Sequence, residues 1–400
     1  MKVLHVYRTY FPDTQGGVEE VIRQICLNSR AFGIESRIFT VSADPQPKVV
    51  SSIEGDIVRA KRNFEIASTG FSLQAFAEFK RQAQWADIVH YHFPWPFADL
   101  LHSTLPKGKK SVVTYHSDIV RQKVLSWLYR PLMKRFLSSV DRIVATSPNY
   151  LASSEVLHRY QQKLSVIPIG LSESSYANLE ADSACLQQVE NQYGTGYFFF
   201  VGILRYYKGL HLLLEAMHGM PFKLIVAGTG PAELELKQQA QQLGLDNVEF
   251  TGFVSDEEKA VLMVHAKAVI LPSHLRSEAF GVTLVEAAMF GKAMISTEVG
   301  TGTSYINLHG QTGLVVEAGS VQSLQAAMQR LNSDHALCTK FAEQARQRYE
   351  SLFSGEKMGE AYSHLYAQLC QINLEELEPL ASEGIAVAAE AGSVRRHYLP

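Results

Sequence analysis

Tyr197-Phe-Phe-Phe-Val201, a turn from Gly202 to Gly209, the stretch Leu210 to Met217, and then Phe222-Lys-Leu-Ile-Val-Ala227 ahead of Gly228-Thr-Gly230 decide the fold. The two aromatic and aliphatic runs are short and end at glycine, as buried strands do; the stretch between them reads as a helix. Near-continuous apolar strands alternating with helices mark a parallel sheet covered on both faces. The rhythm continues outward through Val248 to Thr251, Ala268 to Leu271, Ala293 to Ser296 and Leu314 to Val316. Toward the N-terminus the strands are Lys2 to Tyr7, Ser36 to Val41, Asp87 to Tyr91, Ser111 to Tyr115, Asp141 to Thr146 and Leu164 to Ile167, with a helix from Val18 to Phe32 that stops at Gly33. The sequence predicts an α/β protein of two doubly wound domains. They span residues 1–170 and 193–350, with an irregular polar linker over 171–192. A last firm segment covers 351–378, and residues 379–400, rich in Ala, Glu and Gly, read as a mobile tail.

At ~150 residues per domain, the 400 residues allow two or three domains. With 46% apolar and 19% charged residues, wholesale disorder is excluded. No apolar run approaches the ~20 residues of a membrane-spanning helix. Arg8 and Asp13 break the N-terminal apolar stretch, so no signal peptide is expected. The expected location is the cytoplasm, or the inner face of the cytoplasmic membrane as a peripheral protein. Cys26, Cys185, Cys338 and Cys370 are far apart and form no C-x-x-C pair, which argues for reduced thiols rather than a disulfide framework or zinc site. The net charge of −3 hides an asymmetry: 22 basic against 14 acidic residues up to Gly170, and 15 against 26 beyond it. Either the halves meet different partners, or surface charge drifts unevenly.

Ligands of open α/β sheets lie beyond the carboxyl ends of the strands. Gly16-Gly17 sits between a strand and a helix N-terminus, where free amides favour an anion such as phosphate; a plain structural turn is the other reading. It is neither a G-x-G-x-x-G fingerprint nor a Walker A loop, since no Gly-Lys-Ser/Thr follows. Arg205 and Lys208 put a fixed fork of donors and a mobile cation on one turn, which suits a diphosphate or is an exposed basic loop. In Arg276-Ser-Glu278-Ala-Phe-Gly-Val-Thr-Leu-Val-Glu286-Ala-Ala-Met289 a helix starts near Phe280 to Val282. Eight helical residues rise ~12 Å, so Glu278 and Glu286 could touch different ends of one extended ligand. The amides of Phe280, Gly281 and Val282 would face its anionic middle. The other reading is one capping and one surface glutamate.

This constellation resembles glycosyltransferase family 4, retaining enzymes of the two-domain GT-B type. The E-x₇-E motif is matched by Glu278 and Glu286, the Gly-Gly loop by Gly16-Gly17, and a histidine after a first-domain strand by His116 in Val-Thr-Tyr-His. Arg205 and Lys208 match a diphosphate clamp with one departure: Ile203 stands where many members have the arginine, which here comes two residues later. The stretches Phe200 to Gly209 and Arg276 to Ile306 are most similar to bacterial O-antigen mannosyl- and rhamnosyltransferases that use GDP-sugars. The resemblance implies two Rossmann-like domains facing each other across a cleft, the first on the acceptor side and the second holding the nucleotide-sugar. It also implies a crossover of the segment after about Gly355 onto the first domain. Glu286 would bind the ribose hydroxyls and Glu278 the sugar hydroxyls. Arg205, Lys208 and Gly17 would hold the diphosphate, and His116 would lie near the transferred sugar. Asp256 and Lys259 would contact guanine. The sequence contains no D-x-D, so no metal and no other cofactor is expected; fixed cations and a helix N-terminus would stabilise the leaving diphosphate.

The implied acceptor is a lipid-linked oligosaccharide. Ile119 to Val140 interleaves Arg121, Lys123, Arg130, Lys134 and Arg135 with Leu125, Trp127, Leu128, Tyr129, Leu132 and Phe136. It reads either as a surface for anionic lipid or as a packed helix with a solvated basic face. His90-Tyr-His-Phe-Pro-Trp-Pro-Phe97 reads as sugar-stacking aromatics or as a packed proline-rich loop. No nucleic-acid partner is indicated. The expected activity is transfer of mannose or rhamnose; the alternatives are a non-catalytic nucleotide-sugar-binding protein or a sugar-nucleotide epimerase of the same fold.

Overall fold

A computed structural model of the chain describes residues 1–66, 69–119, 123–180 and 183–380. Arg121 and most of the expected tail lie outside the described residues, as do the side chains of Lys123, Leu125, Trp127 and Cys185. The strands are β1 (Lys2–Val6), β2 (Glu35–Ser42), β3 (Val49–Ser52), β4 (Gly55–Lys61), β5 (Phe64–Ile66), β6 (Thr69–Phe71), β7 (Ile88–Phe93), β8 (Lys110–Tyr115), β9 (Arg142–Ala145) and β10 (Leu164–Val166). They continue as β11 (Phe198–Val201), β12 (Leu224–Ala227), β13 (Val248–Gly252), β14 (Ala268–Leu271), β15 (Ala293–Glu298) and β16 (Gly313–Glu317). Eight form one sheet in the order β10-β9-β8-β7-β1-β2-β4-β3, six form a second in the order β13-β12-β11-β14-β15-β16, and β5 and β6 form a hairpin.

The first sheet is parallel except for edge strand β3. Its order reverses between β1 and β7, so the loops after those strands open onto a crevice. The all-parallel second sheet, counted from β11, has the order 3-2-1-4-5-6 of a dinucleotide-binding fold, with its switch point between β11 and β14. The residues of β7, β11, β12 and β14 are buried on both faces, which is why those segments lack polar alternation.

The chain divides into two compact units, but not simply at residue 170. One comprises Met1–Ala145, Arg159–Ile167 and the chain from Met358; the other comprises Thr146–His158 and Pro168–Lys357. Thr146–His158 joins the second unit because helix Pro148–Ser153, capped by Ser147, bonds there: Asn149 to Ser304 at 3.0 Å and Ser153 Oγ to the Gly300 carbonyl at 2.5 Å. The polar stretch expected to be an irregular linker contains a 3-10 helix, Glu173–Glu180, and an α-helix, Ser183–Tyr193. Helix Gly355–Cys370 sends its residues from Met358 onto the first unit. Gly359 makes that approach close, since a Cβ there would lie 2.6 Å from the Asn28 backbone. Tyr362 and Tyr366 reach the sheet, the first to Thr114 and the second to His90, each at 2.7 Å.

The stretch His90 to Phe97 is core rather than a sugar platform. Phe93, Trp95 and Phe97 are buried, and the Tyr91 ring packs edge-on against Phe136. In helix Lys123–Ser139, Phe136 and Leu137 are buried while Leu128, Arg130, Lys134 and Arg135 are exposed. Cys26 and Cys338 are buried free thiols, and Cys370 is half-buried.

Candidate active site

Adjacent strands β11 and β14 end side by side at the switch point, with Phe199 paired to Val269. The loops that follow them flank the crevice there, and a lysine–glutamate bond across it builds the site. The turn after β11 folds into a 3-10 helix, Tyr206–Lys208, closed by Gly209 at φ 73°. It delivers Lys208 Nζ to Glu278 Oε2 at 2.5 Å, although the residues are 70 positions apart in the chain. Ser273 Oγ donates to the same oxygen at 3.0 Å. The Glu278 carbonyl accepts from Thr301, and the amide of Gly302 donates to the Ala279 carbonyl at 3.0 Å, so the loop after β15 braces the one carrying Glu278. Burial works against the Lys208 charge, but Glu278, Tyr207 and Glu286 outweigh it, and the ammonium pKa lies above its ordinary value.

Helix Val282–Met289 begins at Gly281, which holds φ 93°. Among the described residues the amides of Phe280, Gly281 and Val282 have no backbone partner, as the first turn of a helix requires. Glu286, four residues into this helix, is buried. It accepts from Lys259 Nζ at 2.8 Å and from Tyr176 Oη at 2.6 Å. Lys259 also pairs with Asp256 at 3.1 Å, and Asp256 remains more than half exposed. Desolvation opposes the Lys259 charge, yet Glu286, Tyr176 and Asp256 raise its pKa well above the usual lysine value. Two lysine–glutamate pairs thus stand on one unit with the start of the Val282–Met289 helix between Glu278 and Glu286. Such an arrangement can hold hydroxyls on its carboxylates and an anion at the free amides.

Arg205 stands apart from these pairs. It is exposed and lines a cavity of about 350 Å³ with Tyr206, His211, Glu215 and Glu235, none of which belongs to the two pairs.

Gly16, Gly17 and His116 lie on the first unit. Gly16 caps helix Gly17–Ser29, and the Glu19 carboxylate folds over it: a Cβ on Gly16 would meet Glu19 Oε2 at 2.7 Å. Thr9 and Thr14 hold that carboxylate at 2.8 and 2.9 Å. At Gly17 a Cβ would meet nothing within 4 Å, so the backbone there is open to a ligand. His116 follows β8 directly and continues its ladder, its amide donating to the Phe93 carbonyl at 3.1 Å. Its ring is buried, which lowers its pKa to about 3, and Nε2 lies 3.0 Å from His92 Nδ1.

Sequence reading missed Tyr176, Ser273 and His5 as members of these groups, and took His92 only as part of the aromatic stretch His90 to Phe97. Tyr176 sits in a stretch whose polarity suggested a linker. Ser273 carries no spacing signal, and His5 looked like an ordinary strand residue.

Residues 15–174 match the family model of Glycosyltransferase Family 4, and residues 186–348 match that of Glycosyl transferases group 1. Over 354 residues, 88% of this chain and 92% of the relative, the sequence is 49% identical to the D-rhamnosyltransferase WbpZ of Pseudomonas aeruginosa. The chain belongs to glycosyltransferase family 4. This family 4 enzyme is also 46% identical to the O-antigen chain mannosyltransferase C of Escherichia coli, over 93% of its own length and 99% of the relative's. Its fold matches that of a sucrose-phosphate synthase from Thermosynechococcus elongatus with a TM-score of 0.74, 22% identity and coverage of 92% and 98% of the two chains. The chain is therefore a GT-B hexosyltransferase with two Rossmann-like domains. The readings as a non-catalytic binding protein or an epimerase lapse.

Proposed function

We propose that the enzyme moves an α-linked mannose or rhamnose from a GDP-sugar to a lipid-linked glycan in O-antigen synthesis, with retention of configuration and without a metal ion. The observation that carries this reading is the pair of buried glutamates, each held by a lysine, with the free amides of Phe280 to Val282 between them. Ribose hydroxyls would displace Tyr176 and Lys259 from Glu286. Lys208 and the amides would take the diphosphate, freeing Glu278 for a sugar hydroxyl. Gly17 leaves room for a phosphate at a helix N-terminus. Arg205 belongs to the same reading as a cation that would swing from its exposed position. Asp256, exposed beside Lys259, could accept from guanine N1–H and its 2-amino group, which uracil lacks.

In the transfer, the acceptor hydroxyl oxygen bonds to the anomeric carbon on the face from which the diphosphate leaves. The electron pair of the broken C–O bond stays on the diphosphate, which also takes the hydroxyl proton. Lys208 and the helix amides stabilise the charge that develops there. His116 contacts the transferred sugar. The names of the two relatives, one a rhamnosyltransferase and one a mannosyltransferase, support O-antigen synthesis and leave both sugars as donors to be tried.

No helix of the described residues is long and apolar enough to cross a membrane. We place the enzyme in the cytoplasm, peripheral on the inner membrane face. The exposed Leu128, Arg130, Lys134 and Arg135 support a surface that meets anionic lipid. The test is GDP release and product formation from GDP-mannose and GDP-rhamnose with a lipid-linked acceptor in excess chelator. Turnover with UDP-sugars alone would refute the nucleotide assignment, and loss in chelator restored by Mg²⁺ or Mn²⁺ would refute metal-free transfer.

A further inference from the structure

His5 on β1 and His90 on β7 are paired across the sheet, and His92 pairs with Thr114 on β8. Side chains alternate faces along a strand, so His5, His90, His92, Thr114 and His116 all share one face. There the imidazoles of His5, His92 and His116 form a hydrogen-bonded row. His5 Nδ1 lies 3.1 Å from His92 Nε2, and His92 Nδ1 lies 3.0 Å from His116 Nε2. His90 stacks on His92 at 4.4 Å but stands outside the row, because Tyr366 and Thr114 take its two nitrogens. Nitrogens of His5, His90 and His92 lie within 4.8 Å of one another. That suggests a metal site, yet every nitrogen except His5 Nε2 is already hydrogen-bonded.

Three neutral imidazoles carry three N–H protons, and burial keeps these rings neutral. Each of the two contacts takes one proton. The third must sit at an end of the row, either on His5 Nε2 or on His116 Nδ1. His5 Nε2 is fully buried and has no partner among the described residues. A buried N–H without an acceptor is a rarer and costlier defect than an under-used lone pair. His116 Nδ1, by contrast, belongs to the most exposed residue of the row, 7% against 0% for His5 and 1% for His92.

We infer that the row His5–His92 is a positioning device that fixes His116 as the Nδ1–H tautomer, so that His116 presents a hydrogen-bond donor to an oxygen of the bound sugar and does not act as a base. His5 donates to His92, His92 donates to His116, and His116 donates outward. A donor at this point fits a sugar hydroxyl oxygen or ring oxygen and leaves the acceptor's proton to the departing diphosphate. The inference rests on the reading of His116 as a sugar contact, and its test separates the two.

Histidine-selective ¹⁵N labelling of the full chain, with two-bond ¹H–¹⁵N correlation spectra, reports the tautomer of each ring. His5, His92 and His116 should all carry the proton on Nδ1. An Nε2–H on His116 in the folded protein overturns the inference whatever the activity. In His92→Leu, kcat should fall about tenfold, the equivalent of one lost hydrogen bond of about 1.4 kcal/mol. GDP affinity should stay unchanged, and the His116 tautomer should become mixed. His92→Gln, whose amide can donate at one end and accept at the other, should recover most of the rate. A His116 that keeps a pure Nδ1–H form in His92→Leu would show that the row does not set it. If the tautomers are as inferred but His116→Ala transfers sugar at the normal rate, the sugar-contact reading falls and the tautomer assignment stands.

Discussion

One oxygen of Glu286 is taken before any ligand arrives, because Lys259 and Tyr176 both donate to Oε1. Truncation to alanine would leave the mostly buried Lys259 ammonium with only the exposed Asp256 as its carboxylate partner, so Glu286→Gln is the cleaner probe of its role. The amide keeps the shape and can still accept from Tyr176, but it loses the charge-assisted bonds to ribose, worth about 1.5–3 kcal/mol each. Affinity for GDP should therefore weaken tenfold or more by calorimetry; equal affinity in a folded variant would remove Glu286 from the donor site. The buried histidines make a second prediction. Burial lowers the pKa of His5 and His116 to about 3 and that of His90 and His92 well below the usual value. Below the unfolded pKa of about 6.5, the unfolded chain takes up protons that the native rings refuse. Stability should thus fall as pH drops from 6.5 toward 5 and level off above 7, by up to about 1.4 kcal/mol per pH unit for each ring at the acid end. Urea unfolding at pH 5, 6 and 7 measures it, and a flat profile would mean that the rings titrate normally. Glu278 and Glu286 were singled out by their match to the family motif, since two glutamates eight residues apart occur often by chance. Tyr176 was not, because a lone tyrosine in a polar stretch gains meaning only when the chain folds it over Glu286.

At the scale of elements, two glycines hold the architecture by absence of a side chain. Gly209 closes the turn that carries Lys208 at φ 73°, and a Cβ there would lie 2.1 Å from the Pro272 carbonyl oxygen in the loop leading to Glu278. Gly209→Ala should cost about 1–3 kcal/mol of stability and weaken GDP binding as well, because it drives apart the loops that form the Lys208–Glu278 pair. A variant with wild-type midpoint and GDP affinity would show that the turn relaxes freely. Gly359 has the same duty between helices Gly355–Cys370 and Gly17–Ser29, where Asn28 comes within 2.6 Å of the missing Cβ. Gly359→Ala should destabilise by about 1–3 kcal/mol, read as a lower urea midpoint. It should also perturb the His90 resonances through Tyr366. Twelve of the strands were legible to within a residue or two as short apolar runs, but β3 to β6 were not, because polar and charged residues interrupt their apolar positions. The helices at 173–193 were not, because their side chains supply too few apolar positions to mark a period.

For the whole molecule, the charge asymmetry between the halves is the feature with consequences beyond one site. A basic surface gains about 1 kcal/mol per Lys or Arg near anionic lipid, and salt screens it within a Debye length. Arg130, Lys134 and Arg135 are exposed on helix Lys123–Ser139 beside Leu128, which is 62% exposed. Vesicles rich in anionic lipid should sediment the enzyme at low salt and release it at high salt. Replacing the three residues by glutamine should cut sedimentation strongly while sparing GDP affinity, because the lysine–glutamate pairs proposed to hold the donor lie on the other unit. Equal sedimentation of the variant would assign membrane contact to another surface.

The sequence by itself determined the class of fold and the two doubly wound sheets, and it singled out Glu278, Glu286 and their neighbouring glycine as candidates. Burial, strand length and turn chemistry are local, so they are written in runs of neighbouring residues. Tertiary structure alone decided which strands lie side by side, and with them every functional pairing described above. The adjacency of β11 and β14 brings Lys208 to Glu278. The adjacency of β1, β7 and β8 turns three scattered histidines into one hydrogen-bonded row. The C-terminal helix covers His90 on that face, while Phe136 packs on Tyr91 and Phe71 on Phe97, so His90 to Phe97 became core instead of a sugar platform. Strand order is set by crossovers through long intervening segments, and no local pattern of apolar and polar side chains encodes it.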